Sequence, residues 1–122
     1  MCHVLIIEDE MLIALDLQCQ LEALGATSFS FADTQTEAID AARERRPDFI
    51  TSDVALLEGT GPRAVETILR ELGPVPVIFV TGTPQDCKPC APPGRVLSKP
   101  LHSAAFAAAF RDLAPNVTAK PV

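Results

Sequence analysis

Five side chains of the kinds that phosphoryl chemistry needs stand where short apolar runs end in this chain. Val4-Leu5-Ile6-Ile7 runs into Glu8-Asp9-Glu10, Phe49-Ile50-Thr51-Ser52 into Asp53, Val75 to Val80 into Thr81, and Val96-Leu97-Ser98 into Lys99-Pro100. Glu8, Asp9 and Asp53 in one pocket would repel one another unless a cation joined them. A divalent ion together with Lys99 brings that sum of charges to zero, and hard carboxylate ligands with retained waters favour Mg2+. One carboxylate then serves as nucleophile, because an aspartate is able to carry a phosphoryl group as an acyl phosphate. Asp53 takes that role since it stands alone, whereas Glu8 and Asp9 form an adjacent pair suited to a metal. Thr81 and Lys99 reach the phosphoryl oxygens, one as a hydroxyl donor and one as a fixed charge.

These groups meet only if the runs are parallel strands of one sheet, whose carboxyl edge is where open α/β sheets bind ligands. The runs alternate with segments of helical period, the pattern of βαβ units that cover both faces of a sheet. Ile13, Leu17, Leu21 and Leu24 predict a helix that Gly25 stops, and residues 27 to 32 a second, weaker strand. A helix over about 35 to 46 turns Ala38, Ile39 and Ala42 inward and Arg43, Arg45 and Arg46 outward, until Pro47 ends it. Pro62 suits a first helical turn, and Val65, Ile68, Leu69 and Leu72 give that helix its buried stripe. Residues 83 to 94 break the alternation, because prolines at 84, 89, 92 and 93 leave room for about one turn. The fourth helix is therefore expected to be short or irregular. A last helix from about 101 to 113 is anchored by Phe106 and Phe110, one turn apart. The expected domain spans residues 1–115, with 116–122 as a tail.

With those residues in order, the chain resembles the receiver domain of bacterial two-component response regulators from residue 3 to about 113. The resemblance implies a flavodoxin-like, doubly wound, five-stranded parallel sheet in the order 2-1-3-4-5. It implies Glu8 and Asp9 as the Mg2+ pair, Asp53 as phosphoacceptor and metal ligand, Thr81 as switch hydroxyl and Lys99, ahead of Pro100, as the lysine that contacts the phosphoryl group. The backbone carbonyl of Ala55 is implied as a further metal ligand, and the Lys99-Pro100 bond as cis. Such a protein catalyses its own phosphorylation and dephosphorylation and is no enzyme toward a separate substrate. Two positions depart from the usual pattern: Val96 replaces an aromatic switch residue, and Leu57 replaces a proline four residues past the acceptor. With Phe79-Val80-Thr81-Gly82, those departures resemble a proline-less subgroup of single-domain receivers whose motif reads Phe-Ala-Thr-Gly.

Composition narrows the partners. A formal net charge of -6 and a pI near 4.7 disfavour nucleic acid, whose phosphates are held by clustered Lys and Arg. Met1-Cys2-His3 lacks a basic segment ahead of an apolar stretch, and Glu8 cuts the first apolar run short, so a cytoplasmic chain without a membrane partner is expected. Cys2 and Cys19 read as buried or half-buried small residues, and His3 and His102 as structural. Cys87-Lys88-Pro89-Cys90 has dithiol spacing, but it lies in the proline-rich stretch rather than after an early strand, so a redox protein is the weaker alternative. A receiver-like adaptor that is never phosphorylated is the other. Leu12, Leu15, Asp16 and Cys19 form a second stripe on the first helix, off its buried one. Exposed apolar residues beside a reactive centre suit the docking of a histidine kinase or histidine phosphotransfer protein. The expected reading is a stand-alone receiver that takes a phosphoryl group from phosphohistidine and signals to a downstream protein target.

Overall fold

The computed structural model describes residues 2–84 and 94–114. Five parallel strands, β1 (His3–Ile7), β2 (Ser28–Ala32), β3 (Phe49–Ser52), β4 (Val77–Thr81) and β5 (Gly94–Ser98), form one sheet in the order β2-β1-β3-β4-β5. Four helices, α1 (Met11–Ala23), α2 (Gln35–Glu44), α3 (Gly61–Leu72) and α4 (Ser103–Leu113), pack on its two faces. This is the flavodoxin-like order that the resemblance implied, built on the parallel sheet expected from the alternation of runs. The predicted short helix between β4 and β5, the Cys87–Cys90 pair and the tail from 116 to 122 lie outside the described residues.

Alternate side chains of each strand feed two cores. Val4, Ile6, Phe49, Ile78 and Val80 meet Leu17 and Leu21 of α1 and Phe106 and Phe110 of α4 on one face. Leu5, Ile7, Ile50, Val77 and Phe79 meet Ala38 and Ala42 of α2 and Val65 and Ile68 of α3 on the other. The Phe106–Phe110 anchor is as expected, both side chains being fully buried, and Phe110 packs on Phe49 with ring centroids 4.7 Å apart. Each such aromatic buries 150–250 Å2, roughly, which makes this pair the main fastening of α4 to the sheet.

Element ends follow local chemistry. Gly25, at φ 111, follows α1 and lets its own N–H and that of Ala26 reach the carbonyls of Glu22 and Leu21. Helix α2 stops at Glu44 rather than 46, because Arg45 is already extended (φ -147, ψ 111) on the approach to Pro47. Arg46 then donates to the carbonyls of Leu72 and Pro74 and ties α2 to the end of α3. Strand β4 starts at Val77, not Val75, since Pro76 has no N–H for the ladder, although its carbonyl accepts from Ile50. Helix α4 begins at Ser103, two residues later than the spacing suggested, with His102 at its cap. His3 is structural as expected: its ring nitrogens lie 2.8 Å from the hydroxyls of Ser28 and Ser30. Burial, and then the charge of Arg45, hold its pKa below the ordinary histidine value.

Candidate phosphorylation site

Glu8, Asp53 and Lys99 each sit one residue past the carboxyl end of a strand and Thr81 at the last position of one, with Asp9 and Ala55 following in the loops. The Glu8 N–H donates to Ala32 O (2.9 Å), the Asp53 N–H to Ile7 O (2.9 Å) and the Lys99 N–H to Thr81 O (2.8 Å). The backbone is therefore pinned by sheet hydrogen bonds while the side chains stand clear at the edge. Thr81 is the last residue of β4 and is buried. The Lys99-Pro100 peptide is cis.

Lys99 gathers the acids. Its Nζ donates to Asp53 Oδ2 at 3.0 Å and to Glu8 Oε1 at 3.3 Å, across 46 and 91 residues of sequence. The second oxygens are also held: Glu8 Oε2 accepts from the Glu10 N–H (3.1 Å) and Asp53 Oδ1 from the Val54 N–H (2.7 Å). The Glu8 side chain is only 1% exposed, and burial pushes its pKa from 4.5 to about 7. The Glu10 N–H opposes that rise, the charge of Asp53 adds to it, and Lys99 pulls it back. Burial alone would lower the pKa of Lys99, but its bonds to Asp53 and Glu8 and their charges more than offset this and raise it. One ammonium thus faces two carboxylates, with Asp9 beside them, and negative charge is left over.

The carboxylate oxygens of Glu8, Asp9 and Glu10 come within 4.8 Å of one another. Hard, negatively charged donors in excess of the available cation are what a divalent ion requires, so the residues fit Mg2+. Glu10 joins this cluster although only its two neighbours were expected to; it is the third acid of the same run, and that adjacency was the available signal.

The loop after Asp53 is held from several sides. Ala55 pairs with Thr60 in an isolated antiparallel bridge, and Thr60 caps α3 by accepting from the Arg63 N–H. The loop is also bound to the turn before α2: the Leu57 N–H donates to Asp33 O (3.2 Å), the Gln35 N–H to Glu58 O (2.9 Å), and the Thr60 N–H to Gln35 Oε1 (3.0 Å). At the back, a Cβ on Gly61 would overlap the carbonyl oxygen of Asp53 and the Ser52 hydroxyl, which itself donates to that oxygen at 2.8 Å. None of Gln35, Ser52 and Gly61 was legible as a supporting residue: Gln35 and Gly61 act on partners that the fold defines, and Ser52 acts on its neighbour through a rotamer that the sequence does not specify.

On α1, Leu12 is 84% and Leu15 46% exposed, with Asp16 beside them, as the second stripe requires. Cys19 belongs to this outer stripe and is exposed, which corrects its reading as a buried or half-buried residue; Cys2 is buried.

A family model for the response regulator receiver domain matches residues 4–111. The chain belongs to the receiver domain family. Several of the receiver's relatives carry the regulator name PhyR. The phyllosphere-induced regulator PhyR of Methylorubrum extorquens is 45% identical over 85 residues, covering 68% of this receiver and 32% of that protein. The PhyR receiver domain of Erythrobacter litoralis superimposes with a TM-score of 0.82 at 30% identity, over 99% of this chain and 95% of that one. A receiver domain of a Pseudomonas aeruginosa sensor histidine kinase, solved with a magnesium ion in its active-site cleft, matches with a TM-score of 0.79 over 92% and 96% of the two chains. At 22% identity that last likeness concerns the fold. The receiver spans about a third of the length of the curated relatives it matches. Among its described residues, no helix is long and apolar enough to cross a membrane.

Proposed function

We propose that the receiver accepts a phosphoryl group on Asp53 from the phosphohistidine of a histidine kinase or histidine phosphotransfer protein, and that the modified surface alters affinity for a downstream protein target. The observation that carries this is Lys99 bonded at once to Asp53 and Glu8 at the sheet edge. An Asp53 carboxylate oxygen attacks phosphorus, forming an O–P bond as the N–P bond to the donor imidazole breaks. The leaving nitrogen keeps the electron pair and is then protonated. Lys99 moves from neutralising the free acids to holding the negative phosphoryl oxygens, and Thr81 donates its hydroxyl to one of them. Glu8, Asp9, Asp53 and the carbonyl of Ala55 would hold Mg2+, which when bound supplies charge neutralisation at the phosphoryl oxygens. The domain takes in residues 1–115, and the reaction runs in the cytoplasm. Incubation with acetyl phosphate and Mg2+ is expected to add the mass of one phosphoryl group, and chelation of the metal to suppress the gain. No gain would favour the adaptor that works unphosphorylated.

The donor docks on α1 through Leu12, Leu15 and Asp16, where two leucines stand exposed beside the site, uncovered by any of the described residues. Leu12→Glu with Leu15→Glu is expected to lower the ratio of partner-driven to acetyl-phosphate-driven phosphorylation about tenfold or more. An unchanged ratio would sink the docking assignment.

A further inference from the structure

Thr81 does not stand free in this structure. The Thr83 N–H donates to Thr81 Oγ1 at 3.0 Å, and the two hydroxyl oxygens lie 3.3 Å apart. A hydroxyl has one proton and two lone pairs. If Thr81 donates to Thr83, its only proton is spent. If Thr83 donates to Thr81, both acceptor sites of Thr81 are filled and its side chain is held in place. In the first arrangement, giving the proton to a phosphoryl oxygen on Asp53 requires it to leave the hydroxyl of Thr83; in the second the proton is free, and the two bonds that Thr81 accepts limit where it can be pointed. The residue in the usual aromatic switch position is no competitor: Val96 is short, partly exposed, and paired in register with Phe79 rather than with Thr81.

We propose that Thr83 is a positioning residue that accepts the Thr81 hydroxyl proton in the unphosphorylated chain and so competes for it with a phosphoryl oxygen on Asp53. The exchange is between a neutral hydroxyl contact and a charge-assisted bond, and the latter is roughly twice as strong. Phosphorylation therefore wins, by a margin that the Thr83 side chain sets. The message of the acyl phosphate is carried by a polar pair, the last residue of β4 and the second residue of the loop after it, in place of a moving aromatic ring. This rests on Asp53 being the phosphoacceptor.

The test uses beryllofluoride with Mg2+ as the phosphoryl mimic, its affinity read by NMR titration, since the chain has neither Trp nor Tyr to report by fluorescence. Thr83→Val keeps the branched shape and the backbone N–H but removes the hydroxyl, and is expected to tighten binding about 2- to 10-fold, the worth of one neutral hydrogen bond. Thr83→Ser should return affinity to that of the parent. In a Thr81→Ala background, Thr83→Val should change nothing. Unchanged or weaker binding in Thr83→Val, or the same gain without the Thr81 hydroxyl, would overturn the proposal. Failure of the parent and every variant to bind the mimic would instead overturn the phosphoacceptor reading on which it stands.

Discussion

Asp53→Asn is expected to remove the whole phosphoryl mass gain and, at the same time, to stabilise the fold. The first effect follows from the loss of a nucleophilic carboxylate. The second follows from charge: Lys99 is shared between Glu8 and Asp53, and taking away one acid leaves a single pair. Glu8 supplies the sign. Its folded pKa of about 7 stands above the 4.5 of a free glutamate, so its contribution is fully present below pH 4.5 and is lost as pH rises through 7. Burial is the first cause of that shift and the charge of Asp53 only a secondary one, so the asparagine narrows the window without closing it. Above pH 7 the variant should gain about 1 kcal/mol, the scale on which functional sites are commonly stabilised when activity is removed. Urea unfolding at pH 5 and pH 8 checks this, with the gain larger at pH 8. A variant that lost stability at pH 8 would show that Asp53 is held there for structure.

Gly61→Ala should cost about 3 kcal/mol, on the order of 10 °C in unfolding midpoint, and displace the acceptor as well. The added methyl group has two neighbours, the Asp53 carbonyl oxygen and the Ser52 hydroxyl, and the first is backbone that cannot swing aside. Either the first turn of α3 shifts, which breaks the 2.8 Å bond from the Gly61 N–H to Val54 O, or the end of β3 does. Gly82→Ala is the control, because a Cβ there meets none of the described residues within 4 Å. Thermal unfolding of both variants separates a local clash from a general intolerance of alanine near the site. Equal midpoints for the two would refute it.

The strands and the site they carry were legible because both depend on short-range pattern. A strand buried on both faces is a continuous apolar run, and Ile7, Thr81 and Ser98 could be placed as strand ends by counting to the first polar break, with Ser52 placed by the charged Asp53 that follows it. The limits of β4 and α2 were less legible, since Pro76 and Pro47 act on the neighbouring residues as much as on themselves. What holds Asp53 in place was not legible at all. Gln35 and Gly61 become supports only when the fold brings a distant backbone atom against them, and Ser52 through a bond to its own neighbour that the residue type does not announce. Thr83 is a different case: it is two residues from Thr81, but a threonine there is indistinguishable in sequence from any polar turn residue.

The loop from Asp53 to Thr60 lacks the proline that would stiffen it by its own ring, and the Leu57 N–H that takes its place is bonded to Asp33. A ring restricts the chain whether or not the rest of the molecule is folded. A hydrogen bond to another segment restricts it only while that segment keeps its shape. The acceptor loop therefore has a borrowed stiffness: it and the first turn of α2 form one cooperative unit, ordered together and released together.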